Sequence, residues 1–120
     1  MQARVLKSTG NWYSVKGDDG CYYRCRIRGK LRTKGLKTTN PVAAGDFVNI
    51  EIETAEEGNI ASIVDIVQRK NYIIRKSVNL SKEAQVVAAN IDIAFLVVTI
   101  ERPQTTTGFI DRFLVAANAY

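Results

Sequence analysis

Residues 22–37 read YYRCRIRGKLRTKGLK and change character halfway, from a strand pattern to a basic run. Cys21, Tyr23, Cys25 and Ile27 alternate with Tyr22, Arg24, Arg26 and Arg28. A period of two is that of a β-strand, so the first set faces a core and the second, three arginines with a tyrosine, faces outward. Beyond Gly29 the chain stays basic through Lys30, Arg32, Lys34 and Lys37, and Gly35 loosens the backbone between them. The seven cations from Arg24 to Lys37 have no acid among them. Such a run repels itself, and an anionic partner relieves the repulsion. A solvated strand face leading into a mobile loop is the plainer reading of the same residues.

Working outward, Gly17-Asp18-Asp19-Gly20 has the composition of a hairpin turn. Residues 12–16 before it alternate as a strand, with Tyr13 and Val15 on one side and Trp12, Ser14 and Lys16 on the other. Residues 3–8 read as a first strand, closed by a turn at Thr9-Gly10-Asn11. Residues 29–40 read as a loop, long for a small β domain and for that reason a candidate functional segment. In residues 47–54, Val48, Ile50 and Ile52 are expected to face inward and Asn49, Glu51 and Glu53 outward. Ala55-Glu56-Glu57-Gly58 turns the chain into a last strand over 59–67. Five short strands with Gly-rich turns predict a closed OB-type barrel, with a small SH3-like barrel as the alternative. Closure also removes exposed strand edges.

Charge is segregated along the chain. Residues 1–40 carry ten Lys/Arg against two acids, residues 41–68 carry six acids and no cation, and residues 69–120 carry seven cations against four acids. The net +5 therefore suggests one positive surface rather than a uniformly basic molecule. No apolar run approaches the roughly 20 residues of a membrane span, and no signal-peptide pattern follows Arg4 and Lys7. Cys21 and Cys25 lie four apart on one strand, about 13 Å between α-carbons. That is beyond the reach of a disulfide, so free thiols in a reducing cytoplasm are expected. With no His and two Cys, a zinc site in these residues is not expected, and the commonest general base is missing.

From Arg69 the pattern changes. Residues 69–77 are neither clean strand nor helix, and 78–85 are polar enough for a connector. The run Ile91-Asp92-Ile93-Ala94-Phe95-Leu96-Val97-Val98-Thr99-Ile100 reads as a strand buried on both faces, as in a parallel sheet. Thr107 is a candidate N-cap for a helix over 108–120, with Phe109, Ile110, Phe113, Leu114 and Ala117 near one face. One strand and one helix cannot cover each other's apolar faces. The chain is accordingly expected to be the front part of a longer protein. The expected domains are 1–68 as an OB-fold RNA-binding domain, 69–85 as a linker and 86–120 as the start of an α/β domain.

The combined pattern resembles the circularly permuted GTPases that act on the small ribosomal subunit during its maturation. The residues that carry the resemblance are Gly10 with Tyr13 and Val15; Tyr23-Arg24-Cys25 with Arg28-Gly29-Lys30-Leu31-Arg32; and Pro41-Val42 with Gly45-Asp46 and Val48. They continue with Gly58, Ile60 and Ile63; Arg69 with Asn71 and Arg75; Ala88-Ala89-Asn90 with Asp92; and Ile110-Asp111-Arg112 with Leu114-Val115. The resemblance implies an N-terminal OB domain, a central GTPase domain with permuted motifs and a C-terminal zinc-binding domain, so 86–120 would be the first strand and helix of the GTPase domain. It implies GTP, magnesium and zinc for the whole protein, with hydrolysis stimulated by the small subunit. Neither Asn-Lys-x-Asp nor Gly-x-x-x-x-Gly-Lys-Ser/Thr occurs in these residues. No catalytic, cofactor-binding or metal-binding residue is therefore expected among them.

The expected partner is the small subunit and its RNA, not DNA or a membrane, in the cytoplasm. Arg24, Arg26, Arg28, Lys30, Arg32, Lys34 and Lys37 are the expected phosphate contacts. Tyr22 and Trp12 are candidate stacking residues, although an outward aromatic more often covers a neighbouring strand. Arg69, Arg75 and Lys76 either add RNA contacts or pin the connector to the following domain. Asp111 and Arg112 are assigned no chemistry. The two competing readings are a free-standing OB protein for single-stranded RNA and a barrel that binds an acidic protein partner.

Overall fold

The five strands expected before residue 67 close on themselves. The structure, a computed structural model, describes residues 1–29, 41–54, 58–76 and 84–120. β1 (Gln2–Thr9), β2 (Trp12–Gly17), β3 (Tyr22–Ile27), β4 (Phe47–Thr54) and β5 (Ile60–Ile66) form a closed barrel in the order β1-β2-β3-β5-β4. β1 pairs antiparallel with both β2 and β4, and β3 runs parallel to β5. This is the OB-type order rather than an SH3-like one. The core is the inward set of the alternation: Val5, Tyr13, Val15, Tyr23, Cys25, Ile27, Val48, Ile50, Ala61 and Ile63. Val42, from the segment before β4, adds to it with no exposed surface.

Two inward expectations fail at the barrel ends. Ile52 is 47% exposed although it pairs with the buried Ala61. β4 continues past its last β1 partner at Asn49, and the register shifts between Ile52 and Thr54, so no opposite wall covers it. Cys21 is exposed because β3 starts one residue later, while Cys25 is buried; both thiols are free.

Beyond the barrel, residues 72–76, where no regular element was expected, form β6 (Tyr72–Lys76). It pairs antiparallel with β7 (Ala84–Ala89). The strand expected over 91–100 does not form. Those residues carry no ladder, and Ile93, Phe95, Val97 and Ile100 are 71–87% exposed. A strand needs a neighbour to take its backbone hydrogen bonds, and none lies beside it among the described residues. The helix does form, as α1 (Thr107–Ala119), with Thr106 rather than Thr107 as its N-cap: the Thr106 hydroxyl accepts from Phe109 N at 3.2 Å. No residue of α1 is buried. Its end is held to the hairpin by Tyr120 stacking on Tyr72, with ring centroids 5.0 Å apart.

Candidate nucleic-acid interface

The hairpin register sets which outward side chains meet. Lys16 pairs with Tyr22, Ser14 with Arg24 and Tyr13 with Cys25, which places Trp12 across from Arg26. The outer face of β2 and β3 is thus a row of Lys16, Arg24 and Arg26 interleaved with Tyr22 and Trp12. The Arg24 guanidinium lies over the Trp12 ring at 4.5 Å and that of Arg26 at 4.8 Å. Lys16 Nζ lies 5.7 Å from the Tyr22 ring centre. All are within the distance at which a cation is drawn to an aromatic face. Tyr22 is well exposed and Trp12 half-buried. Among the described residues no carboxylate pairs with Lys16, Arg24 or Arg26.

Arg28 differs. Its Nη2 donates to Glu51 Oε2 at 2.5 Å, both side chains being half exposed. It reaches an anion only in competition with that carboxylate. Lys30, Arg32, Lys34 and Lys37 lie outside the described residues.

The turn before β3 is fixed by its own acid. Tyr23 Oη donates to Asp19 Oδ2 at 2.6 Å, and Cys21 N donates to Oδ1 at 3.0 Å. These two bonds hold the Asp19 carboxyl below its ordinary range. The same carboxylate, with burial, pushes the Tyr23 phenol up to about 12. Burial, then the Glu53 charge, pushes the Cys25 thiol up to about 11, which leaves it an inert core group.

Sequence periodicity did not reveal the junction between barrel and hairpin. Asp46 is fully buried and takes Arg69 on both oxygens: Nε to Oδ1 and Nη2 to Oδ2, each at 2.7 Å. Ala43 N donates to Oδ2 at 2.8 Å, and Arg69 Nη2 also reaches Pro41 O at 3.0 Å. The Asp46 hydrogen bond comes first among the causes that raise the Arg69 pKa. Arg69 is therefore pinned to the barrel and offers no free charge to a phosphate. Asn90, in the left-handed region at φ 52°, donates to Gly45 O and accepts from Lys70 N. Asn71 bonds both backbone groups of Ile91. Ala89 N donates to Ala44 O at 2.9 Å, so β7 sits directly on the segment leading into β4. Gly45 is required there: its φ is 92°, and a Cβ would stand 2.0 Å from Ala89 O.

Among the described residues, no group of His, Cys, Asp and Glu is placed to hold a metal ion, and no helix is long and apolar enough to cross a membrane.

The fold is thus an OB-type module, a closed barrel with a cationic, aromatic outer face that carries a docked hairpin and helix. Comparison with known families narrows this. The RsgA N-terminal domain model matches residues 2–60, and the RsgA GTPase model matches residues 66–120. The chain belongs to the RsgA family. It is 56% identical over all 120 residues to the small ribosomal subunit biogenesis GTPase RsgA of Christiangramia forsetii, covering 38% of that protein. It is 54% identical to the Flavobacterium johnsoniae protein of the same name, covering 37% of it. It is 53% identical to small ribosomal subunit biogenesis GTPase RsgA 2 of Bacteroides thetaiotaomicron, covering 38%. In each case the whole chain aligns, and it spans well under half the length of the relative.

Proposed function

We propose that this chain is the RNA-docking portion of a cytoplasmic GTPase that assists maturation of the small ribosomal subunit. Residues 1–68 act as the docking barrel, 69–85 as the connector and 86–120 as the start of the GTPase domain. Nucleotide binding and hydrolysis belong to residues outside this chain. The names of the relatives support the subunit as partner and GTP as substrate. The sequence supports the division of labour, since neither the guanine-recognising nor the phosphate-cradling motif occurs in it. Its residues thus offer no fit for GTP with magnesium, or for zinc, and the chemistry assigned here is binding alone. Titration calorimetry showing micromolar GDP or GTP binding to the chain would overturn that assignment.

The observation that carries the docking reading is the β2–β3 outer face, where Lys16, Arg24 and Arg26 have no carboxylate partner among the described residues. Cations on an OB strand face follow phosphates, and their release of counterions makes binding salt-dependent. The test is binding of purified small subunits across a salt series. Each phosphate neutralised contributes about 0.9 to the log–log slope on duplex and about 0.7 on single strands. Arg24→Gln with Arg26→Gln should lower the slope by roughly 1.4 to 1.8 units. Lys30→Ala, Arg32→Ala and Lys34→Ala together should lower it by roughly two to three. Folded variants with the parent's affinity and slope would refute the assignment.

A further inference from the structure

We propose that Trp12 is a positioning residue. Its indole holds the Arg24 and Arg26 guanidiniums toward the phosphates of an RNA backbone and does not itself receive a base. The inference rests on the docking reading above and specifies the part of the RNA that this face reads. Three observations meet at the one ring. Both guanidiniums lie over it, at 4.5 and 4.8 Å. Neither has a hydrogen-bond or carboxylate partner among the described residues, so their N–H groups stay available to an incoming anion. Trp12 is half-buried, so part of the ring is already covered.

The register explains the arrangement. Arg24 and Arg26 point the same way one strand repeat apart, about 6.7 Å. Trp12 stands across from Arg26 and diagonal to Arg24, within reach of both. A long cationic side chain free in water samples many rotamers, and ordering it on binding costs affinity. Resting both on one rigid ring supplies that order before the RNA arrives. A base seeking a face of the ring that an arginine covers must first displace it, losing one cation–π contact and one phosphate contact together. Backbone reading is therefore favoured over base stacking, and the face is indifferent to base identity.

Trp12 is the only tryptophan, so its emission reports on the ring alone. The first measurement uses the unaltered chain with two probes of equal length, oligouridylate and an abasic ribose-phosphate strand. Equal affinity, with the same small change in emission for both, is expected. Strong quenching and tighter binding with oligouridylate alone would overturn the proposal in favour of stacking. The second is a cycle of variants on the abasic strand. Trp12→Leu should weaken binding about tenfold by releasing both arginines, while Trp12→Tyr, which keeps a ring, should restore most of the loss. In the Arg24→Gln, Arg26→Gln background Trp12→Leu should have no further effect. A loss that persists in that background, or no loss in the folded single variant, overturns the positioning role. If Trp12→Leu fails to fold, the probe comparison on the unaltered chain still decides. Failure of the docking reading looks different: the unaltered chain would bind neither strand nor small subunits with any salt slope.

Discussion

Replacing Arg69 with Met keeps an apolar side chain of similar length and removes only the cation. Asp46, with no exposed surface, would then keep a single donor, Ala43 N at 2.8 Å, in place of three. Stranding a buried charge in this way costs about 3–5 kcal/mol. Arg69 is itself 18% exposed, so water can reach part of the site, and the lower end, about 3 kcal/mol, is expected. Against a total stability of about 5–15 kcal/mol this is a large fraction. It corresponds to a fall in thermal midpoint of roughly 10–20 °C for a unit of this size. The assay is thermal denaturation followed by circular dichroism, with the Arg69→Met chain beside an Asp46→Asn, Arg69→Met chain. The double variant leaves no charge behind and retains an acceptor for Ala43 N, so it should recover part of the loss. A shift below about 3 °C for Arg69→Met would refute burial of the pair. A double variant no more stable than the single one would refute the stranded charge as the cause.

Gly45→Ala should destabilise the same junction by at least about 2 kcal/mol, because the new methyl meets the Ala89 carbonyl on a backbone that L side chains rarely adopt; hydrogen exchange should show β7 amides losing protection, and unchanged protection would contradict the close approach. Asp19 and Tyr23 give a pH dependence with two limbs. The lowered Asp19 pKa contributes stability that is present above the ordinary carboxylate range and lost as pH falls through it, so Asp19→Asn should flatten the acid limb of a denaturation series. The Tyr23 phenol, raised to about 12, contributes stability that is present below about pH 10 and lost between there and about 12. Tyr23→Phe should remove that alkaline loss, and an unchanged alkaline limb would contradict the bond.

The barrel was legible because its signal is local and repeated. Each of β1 to β5 carries its own alternation, and turns such as Gly17-Asp18-Asp19-Gly20 separate them, so the inward set could be read without knowing which strand neighbours which. Ile52 escaped because exposure at a barrel end depends on how far the opposite wall extends, which no period records. The outward position of Trp12, Arg24 and Arg26 was likewise readable, but not the two arginines over one ring, which depends on the β2–β3 register. β6 was missed because Tyr72–Lys76 has no alternation of its own, and its partner supplies the ladder. The apolar run 91–100 was misread for the converse reason: it has strand composition but no neighbouring strand among the described residues. The junction residues Asp46, Arg69, Asn71 and Asn90 are isolated polar positions spread over 45 residues, and periodicity is blind to them.

Charge blocks in the sequence are not charge blocks in space. The acidic segment 41–68 looks like a counterweight to the basic segment before it, yet three of its four described acids are used one at a time. Asp46 neutralises Arg69 at the junction, Glu51 takes Arg28 at the end of β3, and Glu53 accepts from Ser62 on the neighbouring strand. The first takes Arg69 out of the positive surface into a buried pair, and the second leaves Arg28 at the surface with a competing carboxylate beside it. Arg24 and Arg26 stay unneutralised among the described residues because β2 sets Ser14 across from the first and Trp12 across from the second, and both guanidiniums rest on the Trp12 ring rather than on an acid. An aromatic attracts a guanidinium without cancelling it, so the arginines are held in place and remain cationic. That difference between pairing with a carboxylate and resting on a ring separates Arg28 and Arg69, each held by an acid, from Arg24 and Arg26, whose charge no described acid offsets.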